Sequence, residues 1–536
     1  MFFENSKKIA NDFLQSIVFL DDEAFKNSES QHAFDASEIS KAFAKEKKVC
    51  AVYNPKTSSD INDFVEIAKK ADVVILDWKI LITEEVTPET AEDDAPAEEP
   101  RGQYTLSIIQ DLIKPENAAL KLIIIYTGED ILDDITDGIA AICSSQGTFI
   151  KSACELSFGN IRILIRAKSN NAEIDNRFTQ RPHLQDKVLS YADLPSFVLE
   201  EFTKMTAGLL SDFALLALTT VRDNSYKILH WFSKDLDAAY MGHKVVLPVQ
   251  NDAEELLPKL FGDTIVDLLL YNEIHKKSDI NLTDWLNEKI TENDVPITNK
   301  QGNVINPQVK YKRDIELLKN LVFSTEKNVE KRFENQFKTL VTDKKQREGY
   351  LEYLLKNTTT LFENENNKRL EIDRKFAILT HHKSLFMPKT IVPKLTLGTV
   401  IRSSKNQSNY YICIQQRCDS VRLKRDEERK FLFLPLVSTT DKFHIITPEG
   451  VKLKLDKESY SIKTIKFKCN RDEGEIRGSL ENTKYFFKEN YDNGDKFEWI
   501  LDLKDLHSQR IVTNYVSSLS RIGLDESEWL RMAGGN

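Results

Sequence analysis

Val73-Val74-Ile75-Leu76-Asp77-Trp78 decides the fold, because four consecutive apolar residues run straight into a carboxylate. Such a run reads as a strand buried on both faces, as happens where helices cover both sides of a parallel sheet. Two further runs have the same form. Ile17-Val18-Phe19-Leu20 ends in the acidic pair Asp21-Asp22, and Leu122-Ile123-Ile124-Ile125-Tyr126 ends in Thr127. Val49-Cys50-Ala51-Val52-Tyr53 reads as another strand. Ser59-Asp60 then caps a helix whose Ile61, Phe64, Val65 and Ala68 follow the i, i+3, i+4, i+7 rule, and a helical pattern resumes over 103–113. Residues 14–168 therefore alternate strand and helix, the mark of a parallel α/β sheet. Carboxylates and a hydroxyl at strand C-termini converge in the crevice where open sheets of this kind bind ligands. Three acids gathered there attract a hard, oxygen-seeking cation such as Mg²⁺.

Beyond this region the period changes twice. From Leu194 to about Phe386 the pattern is helical, with segments at 200–210, 212–221, 226–240, 253–271, 313–323, 333–355 and 369–385, and a long connection over 290–312. From Lys394 the period becomes two. Short strands are expected at 399–402, 410–414, 431–434, 443–446 and 464–467, at the spacing of a small barrel, with a last helix over 508–519. The expected architecture is thus multidomain: an α/β domain over 1–193, a helical domain over 194–386, and a C-terminal β-barrel domain with a terminal helix over 387–536.

Composition narrows the function classes. The 536 residues are 41% hydrophobic and 29% charged, enough apolar material for several cores. No apolar run approaches the roughly 20 residues of a membrane helix, and Met1-Phe2-Phe3-Glu4-Asn5 lacks the layout of a secretory leader. Six cysteines without a CxxC pair point to neither a zinc site nor a disulfide framework, so a cytoplasmic location is expected. The net charge of −10 is uneven. Residues 83–100 hold eight acids and no base, which reads as a disordered loop beside Asp77; 389–470 holds 17 Lys/Arg against eight Asp/Glu, or +9. His230, His243 and the pair His381-His382 sit in no HExxH or related spacing, and Phe202, Phe213, Trp231 and Phe232 are expected as core. Walker A, GxSxG and GxGxxG motifs are absent.

The three strand ends, with Asp21-Asp22, Asp77 and Thr127 in that order, resemble the divergent receiver domain of bacterial response regulators over roughly residues 14–210. The resemblance implies a CheY-like, flavodoxin-like fold and a phosphoprotein. Asp77 would be the phospho-acceptor, and Asp21, Asp22 and Asp77 would hold Mg²⁺ with the backbone carbonyl of Lys79. Thr127 would bond a phosphoryl oxygen. A lysine would complete the site. Lys168, at the end of the strong strand Ile161–Lys168, is preferred over Lys151, which ends the short stretch Thr148-Phe149-Ile150-Lys151. The sequence departs from the family pattern in two places. Serine follows either lysine where proline is usual, and the switch aromatic three residues before the lysine would be Ile165 or Thr148.

The resemblance implies a protein of a two-component system that accepts phosphate from a sensor histidine kinase, rather than an enzyme acting on an external substrate. It also links the chain to larger proteins of Detocs-like anti-phage systems, in which one component is thought to act as a phosphate sink. A downstream receiver or effector protein is a further expected partner, and no membrane is expected. From Leu397-Gly398-Thr399 onward the chain also resembles the SH3-like barrels of PemK/MazF-type toxins. That leaves two other readings open. In one, the basic barrel, with Cys418 between Arg417 and Asp419 as a candidate activated thiol, binds or cleaves RNA under receiver control. In the other, the chain is a scaffold with a degenerate receiver.

Overall fold

The computed structural model describes residues 1–25, 36–82, 102–117, 119–169, 176–247, 252–279, 281–308, 310–363, 365–388, 390–440, 443–456, 461–469, 474–491 and 493–519. The stretch 83–100, expected as a disordered loop, lies outside them. The chain divides into two compact units, Met1–Ile290 and Thr291–Asn536. The helices of the stretch 194–386 are shared between the two.

The first unit opens with helix α1 (Phe2–Phe13), which the sequence reading did not anticipate, followed by β1 (Ser16–Leu20), α2 (Ala36–Lys45), β2 (Val49–Tyr53), α3 (Ser58–Ala68) and β3 (Val73–Leu76). It continues through α4 (Gln103–Leu112), β4 (Lys121–Thr127), α5 (Leu132–Gln146), β5 (Ile150–Ser152), β6 (Glu155–Phe158), β7 (Ile161–Lys168) and β8 (Val188–Leu189). The strands form one sheet in the order β2-β1-β3-β4-β7-β6-β5, with β8 beside the end of β7. Pairing is parallel from β2 through β4 to β7 and between β7 and β8; the β5–β6 hairpin is antiparallel at the edge.

Period-two alternation explains why these runs are apolar throughout. Ile17, Phe19, Val73, Ile75, Leu122, Ile124 and Leu164 face a core shared with α1, α2 and the helix after β8, α6 (Leu194–Thr206). Val18, Leu20, Val74, Leu76, Ile123, Ile125, Ile163 and Ile165 face a core shared with α3, α4 and α5. Helix α3 begins two residues earlier than expected. Thr57 is its cap, accepting from Asp60 N while the Asp60 carboxylate accepts from Thr57 N, the reciprocal arrangement that satisfies two orphan donors.

The unit ends in helices α7 (Leu209–Asp223), α8 (Ser225–Trp231), α9 (Asp237–Val246), α10 (Asp252–Tyr271), α11 (Ile274–Asp279) and α12 (Leu282–Lys289). The expected helix 226–240 is interrupted where Ser233 caps a turn by accepting from Asp235 N. Of the four aromatics expected as core, Phe202 is buried, but Trp231 is 72% exposed and Phe213 and Phe232 are exposed as well. Helical spacing alone does not say whether an apolar face has anything to pack against.

The second unit starts with the hairpin β9 (Asn293–Pro296) and β10 (Lys310–Arg313). Helices α13 (Ile315–Val322), α14 (Val329–Phe337), α15 (Lys344–Lys356) and α16 (Asn366–His381) follow. The expected helix 333–355 is broken because Asp343 caps α15, accepting from Gln346 N. Next come β11 (Thr399–Ser403), β12 (Tyr410–Cys413), β13 (Glu428–Ser438), β14 (Ile445–Ile446), β15 (Lys452–Leu455), β16 (Lys463–Lys468), β17 (Ser479–Glu481), β18 (Lys484–Lys488), β19 (Lys496–Asp502) and α17 (Asp505–Leu519).

These strands form an open antiparallel sheet in the order β14-β15-β13-β12-β11-β19-β18-β17, with β16 paired to β13. The expected closed barrel of five short strands is therefore corrected. The apolar run 431–434 is only the centre of the 11-residue β13, which pairs with β16 over 428–433 and with β15 over 436–438. Its charged first residues, Glu428-Arg429-Lys430, hid its length from a reading by hydrophobicity.

Candidate functional site

The sheet register brings the carboxylates together. Leu20 pairs with Leu76, so Asp21 and Asp77 leave adjacent strands at the same level, and Asp77 N donates to Leu20 O at 2.9 Å. They sit where the strand order reverses between β1 and β3, the switch point of an open parallel sheet. Asp21, Asp22 and Asp77 are all buried, and one oxygen from each lies within 4.8 Å of the others. Continuing the alternation of their strands, Asp21, Asp77 and Lys168 point to the same side of the sheet.

Lys168 Nζ lies 2.7 Å from Asp21 Oδ2 and 3.4 Å from Asp77 Oδ2. Lys151 is elsewhere, on the exposed edge hairpin, paired with Asp137. The remaining carboxylate oxygens are held locally. Asp21 Oδ1 accepts from Glu23 N and Asp77 Oδ1 from Trp78 N, both at 2.9 Å. Thr127 ends β4 beside Ala167, and its hydroxyl accepts from Glu129 N at 3.1 Å. Asp21 is fully buried, whereas the Asp77 side chain keeps 12% of its surface open.

Charge explains the chemistry of the cluster. Burial pushes the Asp77 carboxyl up; Lys168 pulls it down, Asp21 and Asp22 push it up again, and the result is about 7. Burial alone would lower the Lys168 ammonium, but Asp77 and Asp21 outweigh it and hold it above the ordinary lysine value. Three carboxylates against one ammonium leave a deficit of two positive charges in a poorly solvated place. A hard divalent cation matches that deficit and this all-oxygen donor set, so the residues fit Mg²⁺.

Residues 13–173 match the family model of the response receiver domain. This part of the chain is a response receiver domain. No curated protein and no solved structure matches the chain, and nothing supports the resemblance of the C-terminal region to SH3-like toxin barrels.

Several residues around the receiver site escaped the sequence reading. Thr105 on α4 donates its hydroxyl to Asp77 O at 2.7 Å and contacts Trp78 O at 3.2 Å. Gly102, at φ +87°, lets the start of α4 lie against the Trp78 ring. Asn54 donates to Asp22 O at 3.0 Å. Arg177 donates to the carbonyls of Gly128 and Lys168. None belongs to a local motif, and only Gly102, a glycine just before a helical pattern, left a trace in the sequence. The position of the expected switch aromatic holds the fully buried Ile165. Instead, the residue before Thr127 is aromatic: Tyr126 donates its hydroxyl to Leu189 O at 2.8 Å and meets Tyr191 edge to face.

In the second unit, Cys418 lies exposed in a short turn, with Arg417 paired to Asp505. Part of the basic stretch is ion-paired, through Lys394–Glu475, Arg402–Glu498, Arg429–Glu427, Lys466–Glu428 and Lys468–Asp426. Of the histidines, His230 and His243 are exposed, His382 bonds the Ile446 carbonyl, and the His381 ring lies tilted against His507 with centroids 4.0 Å apart. Among the described residues the only group of acids, histidines and cysteines close enough to hold a metal is the receiver cluster. No single described helix is long and apolar enough to cross a membrane.

Proposed function

We propose that this chain is a response-regulator-like signalling protein whose receiver domain takes a phosphoryl group onto Asp77 from a sensor histidine kinase, in the cytoplasm. The observation that carries the reading is the cluster itself: three carboxylates within 4.8 Å of one another, with a buried ammonium 2.7 Å from one and 3.4 Å from the acceptor.

In this reading Asp77 Oδ2 attacks phosphorus in line. The new P–O bond forms as the P–N bond of the phosphohistidine breaks, and the electron pair leaves on the imidazole nitrogen. Mg²⁺, bound by Asp21, Asp22 and Asp77, would neutralise phosphoryl oxygens during transfer. Lys168, already placed beside Asp77, exchanges part of its contact with Asp21 for a phosphoryl oxygen. The Thr127 hydroxyl turns to donate to another. The protein acts as phospho-acceptor, passing phosphate or its signal to a receiver or effector, or storing it as a phosphate sink in anti-phage defence. The three-part organisation with borders near 193 and 386 belongs to the same proposal.

Incubation with Mg²⁺ and a small phosphodonor is expected to label the wild type and leave Asp77→Ala unlabelled. Equal labelling of both removes Asp77 as the acceptor.

A further inference from the structure

Between β7 and α6 the chain does not leave the sheet directly. Residues 176–191 cross back over the C-terminal ends of β4 and β7, the ends that carry Thr127 and Lys168. This strap is tied down along its length. β8 adds to the end of β7, pairing Ala167 with Val188 and Lys168 with Leu189, and Ser169 N donates to Leu189 O at 3.1 Å. Tyr126, next to Thr127, donates its hydroxyl to the same Leu189 carbonyl. Arg181 donates to Asp130 O at 3.2 Å. At the centre, the two terminal nitrogens of Arg177 divide: Nη1 donates to the carbonyl of Gly128, directly after Thr127, and Nη2 donates to the carbonyl of Lys168 itself.

We propose that Arg177 is a positioning residue for phosphoryl transfer, its guanidinium locking the loop that carries Thr127 to the strand end that carries Lys168. The inference rests on the reading of Asp77 as acceptor. A planar guanidinium suits the task because its donors point in fixed directions and can bridge two carbonyls on different chain segments. The two groups it joins act on the same small phosphoryl group from different strands, and misplacement of about 1 Å costs on the order of a hundredfold in rate. Arg177 does not touch the carboxylates. Mg²⁺ binding, which uses the β1 and β3 ends, should therefore be insensitive to it.

The test compares wild type, Arg177→Gln, Arg177→Lys and Asp77→Ala in the full chain. Labelling rate is measured against concentration of a small phosphodonor, and Mg²⁺ affinity by calorimetry. Arg177→Gln is expected to lower the maximal labelling rate by roughly ten- to a hundredfold, with the half-saturating donor concentration and Mg²⁺ affinity close to wild type. Arg177→Lys, which keeps the charge but not the fork, should recover only part of the rate. A wild-type rate in Arg177→Gln overturns the proposal. So does a parallel loss of Mg²⁺ binding and labelling, which would make Arg177 a general structural residue. A wild type that takes no label on Asp77 fails at the earlier step and removes the acceptor reading together with this inference.

Discussion

Asp77 is the residue on which the site turns, and its protonation gives the first prediction. Its carboxyl sits at about 7 in the metal-free protein, against about 3.9 in an unfolded chain. The folded state therefore binds the extra proton between those values. This group's contribution to metal-free stability is full below about pH 4 and is lost as pH rises through about 7. Mg²⁺ must displace that proton, so its affinity is expected to fall by up to about tenfold per pH unit as the pH drops below 7. Calorimetric titrations between about pH 6 and 8, in buffers of different ionisation enthalpy, read both the affinity and the released proton; a flat profile contradicts the assignment. Lys168 gives the second prediction. Replacing it with Met leaves the buried carboxylates unmatched, at a cost of roughly 3–5 kcal/mol above pH 7. Denaturant unfolding with and without Mg²⁺ should show the loss, and the metal should recover a larger share in Lys168→Met than in wild type. Lys151→Met, on the exposed edge, is the control expected to change little.

At the scale of elements, the Asp77–Trp78 loop is held by α4 rather than by its own sequence. Thr105 fixes the carbonyls of Asp77 and Trp78, and Gly102 allows the helix start to meet the Trp78 ring. A Cβ on Gly102 would lie 2.3 Å from that ring, at a φ of +87°. Gly102→Ala is therefore expected to cost roughly 1–3 kcal/mol from overpacking, with about 1 kcal/mol more from the left-handed backbone. Thermal unfolding measures that loss, and slower labelling should accompany it as the loop shifts; an unchanged melting temperature would mean the helix start moves freely. The strands of the receiver were legible because burial on both faces makes them uniformly apolar. The short edge hairpin β5–β6, the strap strand β8 and the charged start of β13 were not, since they carry no buried apolar run.

For the whole molecule, the placement of the unit border matters. Helices α6 and α7 supply Leu194, Val198, Phe202 and Leu215 to the core on one face of the receiver sheet. Ser6 on α1 bonds the buried Asp212 on α7 at 2.7 Å, and Arg222 donates to the carbonyls of Asp12 and Phe13. A fragment ending at 193 leaves that face uncovered and is expected to be markedly less stable than a fragment over 1–290, which keeps every residue of the site and its packing. Chemical denaturation of the two fragments, with Mg²⁺ binding to each, checks this; equal stability would show that the receiver sheet does not need α6 and α7.

The sequence alone carried the parallel α/β sheet and, through its resemblance to receiver domains, the candidate residues Asp21, Asp22, Asp77, Thr127 and Lys168, because buried strands and their polar ends are written in local patterns. Lys168 over Lys151 followed from strand quality alone, and the register then brought its ammonium to Asp21 and Asp77. Tertiary structure alone decided what surrounds them. The α4 latch on Asp77, the Arg177 bridge, the bond from the Tyr126 hydroxyl to the Leu189 carbonyl, and the open course of the C-terminal sheet all depend on groups far apart in the chain. Their cause is pairing and packing in three dimensions, which leaves no period or spacing for a linear reading to find.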